Sequence, residues 1–477
     1  MRKIIIGSFL LMVFSFNAIC QTTITGFIPS AVNHSKKIVL SVYDNKSISD
    51  RKIFEDTINT DNGKFEFNFK ISGINTVAIE LDGDNIFFPG TYNILVESRD
   101  SINIGIPNEQ KLGIANLVFS GRGAEKIEFH KSIITKVLDL YKSDPDYQKQ
   151  TLLYKFQSTD KKLNAIDSIY SGYIGNLNEN VKDIIRADNQ SAIMKMLFIS
   201  SMRSKEDSLS TYFQEFIVNR DRIKPIVTGN AITFSGSSLL YNFILLKQFK
   251  NPVFLGDNYE ENHILDFAKL VVRYFNTYPQ VKDFLLSNLV ISFSHGKIYN
   301  DELENLLLYY SKQVKQSSPY FSETIKTVEK TKKLLQAGQP FFDFSLADDK
   351  GKIHTLSDFK GKILIFDFWF TGCSGCKQMA PVLNTLEEKL AKKGIQFISV
   401  NTDTKKWWLE GIGQYSSASS LQLYTMEQKF KHPLIKFLNI AAYPALFVVD
   451  KEGNIVGVPP DPRVNEEGFI NYMERLL

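Results

Sequence analysis

Cys373 and Cys376 stand three residues apart in the run Phe368-Trp369-Phe370-Thr371-Gly372-Cys373-Ser374-Gly375-Cys376. Two thiols at i and i+3 on the first turn of a helix can close a small disulfide ring. A helix N-terminus presents unpaired backbone N–H groups and the positive end of the helix dipole, and both favour a negative sulfur. A thiol pKa of ~8.5 then falls towards roughly 3.5–7.5, which makes a thiolate available near neutral pH. The chemistry open to such a pair is thiol–disulfide exchange. Cys373, at the start of the helix, is placed to attack a disulfide. Cys376, inside the turn, is placed to attack the resulting mixed disulfide and release the product. This exchange needs no cofactor. A metal site is the rival use of two such cysteines, but they supply only two ligands. His354 and His432, the nearby histidines, have no second His or Cys at zinc spacing. A peroxidatic cysteine would call for Pro and Thr in a P-x-x-x-T-x-x-C arrangement, and Phe366 and Phe370 hold those places.

The elements that must position the pair are legible around it. Ile363–Phe370 is a nearly unbroken apolar run, which reads as a central strand buried on both faces. Lys377–Lys392 is helical, with Met379, Leu383, Leu386 and Leu390 on one stripe. Ile395–Asn401 and Tyr443–Asp450 are further buried strands, Ile455–Val458 follows a turn, and Phe469–Leu477 is a closing helix. This β-α-β…β-β-α order predicts a mixed sheet flanked by helices on both faces, over residues 338–477.

Upstream the periodicity changes twice. Over 21–121 it is two: Phe65, Phe67, Phe69 and Ile71 alternate with polar residues, as do Ile102, Ile104 and Ile106. Lys37–Tyr43, Thr76–Leu81, Asn93–Val96 and Leu117–Ser120 are further strand candidates. Asp61-Asn62-Gly63 and Asp82-Gly83-Asp84 supply turn chemistry. The expectation is an antiparallel β-sandwich-like domain. Over 122–337 the period is 3.6, and an all-helical domain is expected. Ile133, Ile134, Val137, Leu138 and Tyr141 share one face. Leu265, Ala268, Leu270, Val272 and Phe275 belong to a second helix, and Leu303, Leu306, Leu307 and Tyr310 to a third. Asp144-Pro145, Asn251-Pro252, Tyr278-Pro279 and Ser318-Pro319 punctuate the helices. His130, His263 and His295 have no companion at metal spacing and read as ordinary core or surface residues.

The chain has 477 residues, 43% of them hydrophobic and 23% charged, enough apolar material for more than one core and too much for wholesale disorder. A formal net charge of +4 is near neutral at this length, so nothing points to nucleic acid. Arg2-Lys3, the apolar run Ile4–Phe16 and the small residues Ala18 and Cys20 follow the order of a secretory signal over 1–20. Cys20 is the third and last cysteine of the chain. A competing reading makes it a lipid-bearing residue, but Ile19 is large where a lipoprotein box wants a small side chain. Either reading takes the protein out of the cytoplasm, to the periplasm or cell envelope.

With these residues in place, the C-terminal third resembles the thioredoxin-fold proteins of the TlpA/ResA type, the envelope thiol–disulfide oxidoreductases. The matching pieces are Phe366-Asp367-Phe368-Trp369, Cys373-Ser374-Gly375-Cys376, Pro381 in the following helix, and Tyr443-Pro444 at a later strand. The resemblance implies that Asp367 is the buried general base that exchanges a proton with the resolving thiol. It implies a cis bond before Pro444, which would leave the Tyr443 backbone free to pair with an extended substrate segment. Trp369 and Pro381 are implied to be structural. Two departures stand out: Gly372 precedes Cys373 where many relatives carry Trp, and Ser-Gly lies between the cysteines. The stretch from Asn401 to Tyr443 exceeds a minimal thioredoxin and opens with Trp407-Trp408, which either line a substrate cleft or cover the core.

The expectation is an exported thiol–disulfide oxidoreductase acting on protein thiols and disulfides, supplied with electrons by an upstream envelope donor and working as a reductase. The alternative is an envelope binding or scaffold protein that uses the thioredoxin-like part for docking. The function of 21–337 does not follow from its residues.

Overall fold

The computed structural model describes residues 21–27, 37–44, 51–57, 63–81, 84–87, 93–105, 112–202, 208–227, 236, 239–240, 243, 264–295, 298–440 and 442–477. Residues 1–20, with Cys20 and the expected export signal, lie outside them. So do Ile106, Asn251-Pro252, His263 and the turn residues Asp61, Asn62, Asp82 and Gly83. The chain divides into two compact units, Met1–Asn242 and Phe243–Leu477. The division falls within the helical stretch, so the helices of 122–337 are shared between the units instead of forming one of their own.

The first unit holds two sheets. One has the order β4 (Lys64–Lys70), β1 (Gln21–Phe27), β8 (Ser101–Gly105), β9 (Val118–Arg122). The other has β3 (Arg51–Thr57), β2 (Lys37–Asp44), β5 (Ile74–Leu81) and β6 (Asp84–Asn85), with β7 (Ile94–Glu97) also paired to β5. The alternation behaves as expected in β4, where Phe65, Phe67 and Phe69 are buried and their neighbours are exposed. Ile24, Leu40, Ile79 and Ile104 join them in one core shared by both sheets. The expectation of a purely antiparallel arrangement needs correction, because β1 runs parallel to β8. Strands so far apart in sequence need no hairpin and are free to pair in either sense. The strand β3 escaped sequence analysis because charged residues crowd it, as is common at a sheet edge.

Among the described residues of the first unit, helices α1 (Ala124–Lys142), α2 (Leu152–Ser171), α3 (Glu179–Met202), α4 (Leu209–Phe213) and α5 (Lys224–Val227) follow the sheets. Ile127 and Ile134 of α1 enter the core of the sheets. At its start Lys126 is buried and paired with Glu97 and Asp100, each at 2.7 Å.

In the second unit α6 (Ile264–Phe275), α7 (Pro279–Ser294), α8 (Asp301–Gln313) and α9 (Phe321–Leu334) precede the sheet. The buried stripe of α6 is Phe267, Ala268, Val271 and Phe275. These follow an i, i+1, i+4, i+8 pattern, and Leu265, Leu270 and Val272 of the same helix are half-buried beside them.

The C-terminal sheet has seven strands in the order β11 (Ile353–Thr355), β10 (Ser345–Asp348), β14 (Leu421–Tyr424), β13 (Ile395–Asn401), β12 (Ile363–Trp369), β15 (Ala445–Val449), β16 (Ile455–Gly457). It is mixed: β12, β13 and β14 are parallel, and β15 is antiparallel to β12. Every residue of β12 is buried. Its odd residues Ile363 and Ile365 pack with Met379, Leu383, Leu386 and Leu390 of α10 (Ser374–Leu390) and with Phe469 and Met473 of α13 (Glu466–Glu474). Its even residues Leu364, Phe366 and Phe368 pack on the other face with Leu434 and Ile435 of α12 (Pro433–Phe437) and with Leu335, just past α9. The helices thus cover both faces, and the end of the helical stretch belongs to that covering.

Phe366 is the centre of the second face, stacked on Phe341 at 4.7 Å and edge-on to Phe344 at 5.6 Å. All three tryptophans of the chain, Trp369, Trp407 and Trp408, lie in the C-terminal sequence, so their fluorescence reports on that unit alone. Phe366→Ala is expected to cost about 3–5 kcal/mol, the usual penalty for a large aromatic cavity, and to lower the urea midpoint read by tryptophan emission. A loss under about 1 kcal/mol would contradict this packing.

Candidate functional site

The site begins where β12 leaves the core. Thr371 donates its backbone N–H to Asp403 Oδ2 at 2.6 Å and its hydroxyl to the Trp407 carbonyl at 2.8 Å. Gly372 follows at φ 95°, a left-handed conformation that glycine adopts without strain. A glycine at this place suits the left-handed turn that delivers the first cysteine. The chain then enters α10 with Cys373 as its N-cap, where Cys373 Sγ accepts the Cys376 N–H at 3.0 Å. Sulfur here replaces the Ser, Thr or Asp oxygen that usually satisfies the open N–H groups of a first turn.

Cys373 and Cys376 are joined as a disulfide with Cα atoms 5.2 Å apart. Cys373 is 6% exposed and Cys376 1%, so Cys373 is the more accessible sulfur. Both pack in one cluster with Trp369 and Trp408, flanked by Phe370, Tyr415 and Tyr443. Trp369 stacks on Tyr415 and Trp408 on Tyr424. Trp408, on α11 (Lys405–Gly411), therefore covers the core beside the cysteines, while Trp407 is about half exposed. Pro381 lies on the exposed side of α10, which runs through it without interruption.

Beneath the pair the sheet turns polar. Asp367 lies between Ile365 and Trp369 on the odd face of β12, the face that α10 covers. In register beside it are Ser399 on β13 and then Gln422 on β14. The next rung is Trp369, Asn401 and Tyr424. Asp367 is fully enclosed, and burial raises its carboxyl pKa to about 7. The Ser399 hydroxyl opposes that rise without closing a hydrogen bond: Asp367 Oδ1 and Ser399 Oγ each lack a partner. Gln422 is held by the Ser417 and Ser420 carbonyls. Those serines and Ser419 donate to Glu387 on α10 at 2.8–3.0 Å, which ties the long segment after β13 to the helix that carries the cysteines.

Tyr443-Pro444 is cis and meets the middle of the motif. A Cβ built on Gly375 would stand 3.0 Å from Pro444 Cδ and 3.3 Å from Arg463 Nη1. The second intervening residue is thus pinched between the proline and an arginine, which explains why it is the smallest residue. Arg463 is a further member of the site, one that no motif spacing singled out. Its Nη1 donates to the Gly375 carbonyl at 3.1 Å, and its Nε and Nη2 bind Asp461. The available signal was Asp461-Pro462-Arg463, since an Asp that accepts the N–H two residues on is a recurrent turn. Among the described residues no group of three or more His, Cys, Asp and Glu side chains could hold a metal, and no helix is long and apolar enough to cross a membrane.

A mixed sheet with a Cys-x-x-Cys disulfide at its central strand–helix junction defines the thioredoxin-like class. Residues 337–458 match the AhpC/TSA family model. The thiol-disulfide oxidoreductase ResA of Geobacillus kaustophilus is 29% identical over 114 residues, which are 24% of this chain and 63% of that protein. ResA of Bacillus anthracis is 27% identical over 26% of this chain and 70% of its own length. A thiol:disulfide interchange protein from Bacteroides sp. has a solution structure with 30% identity, covering 28% of this chain and 90% of that one at a TM-score of 0.26. The thioredoxin domain of a thiol-disulfide oxidoreductase from Bacteroides vulgatus shows 27% identity over 30% and 99%, at 0.27. The C-terminal part of this chain is thus similar to thiol–disulfide oxidoreductases of the ResA kind. The chain spans 63% of the length of the Geobacillus relative.

A carboxyl whose pKa lies near 4 unfolded and about 7 folded binds an extra proton in the folded state between those values. The Asp367 contribution to folded stability therefore falls as pH rises from about 4 to 7, and its penalty is complete above 7. Asp367→Asn removes it. The variant should match the wild type near pH 4 and exceed it in urea midpoint at pH 8, where an equal midpoint would contradict the raised pKa.

Proposed function

We propose that the protein is an exported thiol–disulfide oxidoreductase that reduces protein disulfides with the Cys373–Cys376 pair. The observation that carries this reading is the disulfide at the N-terminus of α10, with Cys373 Sγ in the capping position. In the reduced pair the Cys373 thiolate attacks one sulfur of a client disulfide. A mixed disulfide forms and one client sulfur leaves as a thiolate. Cys376 then loses its proton and attacks Cys373 Sγ, so the second client sulfur leaves and the internal disulfide closes. The client gains two electrons and the pair loses two.

Asp367 serves as the proton acceptor for Cys376. A pKa of about 7 suits that role, because the carboxylate can take a proton and return it near neutral pH. Tyr443 and Pro444 border the motif and contribute the surface on which an extended client strand lies. Trp369 and Pro381 are structural. Clients are proteins with accessible disulfides or thiols, and an upstream thiol donor in the envelope regenerates the dithiol. Export is supported by the basic, apolar and small-residue order of 1–20. The reducing direction is what the resemblance implies, and a measured potential near about −270 mV, not near about −120 mV, is expected.

Cys373→Ser should abolish dithiothreitol-dependent insulin reduction. Cys376→Ser should hold clients as mixed disulfides on Cys373, visible as thiol-sensitive adducts on gels. Equal insulin-reduction rates in wild type and Cys373→Ser would end this reading.

A further inference from the structure

Between Gly457 and α13 the chain carries Asp461 and Arg463, which belong neither to the sheet nor to a helix. The guanidinium of Arg463 is used on two edges. Nε and Nη2 face the Asp461 carboxylate, and Nη1 faces the Gly375 carbonyl inside the Cys-Ser-Gly-Cys turn. The ion pair is therefore an oriented dipole whose positive end points at the first turn of α10. Asp461 also accepts the Arg463 backbone N–H at 2.9 Å, so the arginine is held from both its main chain and its side chain.

We propose that Arg463 is a positioning residue that holds the redox turn through Gly375 and stabilises the Cys373 thiolate with its positive charge. This deepens the proposed exchange reaction and rests on the dithiol being its working group. Three features support it. The bond joins the arginine to the second of the two residues between the cysteines, next to Cys376. The charge adds to the helix N-terminus in the sense that favours a negative sulfur. Gly375, which lacks a Cβ, lets Pro444 and Arg463 approach the same peptide.

The other charged groups around the turn do not supply this field. Asp403 is committed to the Thr371 N–H, and its charge opposes a thiolate. Asp367 lies beneath the pair on β12 and is also acidic. Lys377 is exposed on α10, one turn beyond Cys373. Arg463 is the cation hydrogen-bonded to the motif, with its side chain 28% exposed, where screening by water is incomplete.

The test is the pH dependence of iodoacetamide alkylation of the reduced full-length chain, which needs no client. Arg463→Gln should raise the Cys373 thiol pKa by about half a unit, so that alkylation well below the pKa slows roughly threefold. Arg463→Lys, which keeps the charge, should restore at least half of that shift. In the wild type, raising ionic strength from 0.05 to 1 M should move the pKa upward, towards the Arg463→Gln value. That arm requires no substitution and stands even if a variant folds poorly. A Cys373 pKa equal in wild type and folded Arg463→Gln, or one insensitive to salt, overturns the proposal. A normal pKa shift alongside absent insulin reduction would overturn the exchange function and leave the Arg463 assignment intact.

Discussion

The arrangement depends on one strand. Because β12 is buried along its whole length between two helical layers, its direction and end point are fixed by packing on both sides. The chain must leave the core where Trp369 ends the strand, and the turn through Gly372 delivers Cys373 to the N-cap of α10. A sulfur at that position meets an N–H at 3.0 Å and the positive end of a helix. The reactivity of the pair is thus a property of the strand–helix junction, not of the two residues alone. Asp403 and the Trp407 carbonyl hold the same turn from the adjoining loop, so the segment after β13 takes part in positioning it.

The same packing explains the carboxyl below. A strand with an apolar even face and an odd face under a helix leaves nowhere for Asp367 to meet bulk water. The cost of burial therefore appears as a raised pKa. Around it the polar rungs on β12, β13 and β14 interrupt an otherwise apolar layer only at the end nearest the cysteines. Burying a carboxyl here costs fold stability once the pH exceeds its raised pKa.

The long segment after β13 and the short one before α13 work in different ways. The first supplies bulk: Trp408 and Tyr415 cover the cysteine cluster, and three serines anchor the loop to Glu387 of α10. The second supplies charge, since Arg463 reaches the motif from a turn fixed by Asp461. Both converge on α10, the helix that carries the cysteine pair.

Features that depend on local spacing were legible before folding. The Cys-x-x-Cys motif, the buried run of β12, the stripe Met379, Leu383, Leu386 and Leu390, and the mixed order of the C-terminal elements all follow from periodicity and residue type. So did the alternation in β4, because a period of two shows within a few residues. Asp367 and Tyr443-Pro444 entered through resemblance, and the structure brings each to the redox end of the sheet. The meetings of distant residues were settled by folding. The parallel pairing of β1 with β8 and the reach of Arg463 to Gly375 leave little trace in a short window. Contacts between residues dozens of positions apart are chosen by packing and by the need to pair buried polar groups, and those forces act only once the chain has folded.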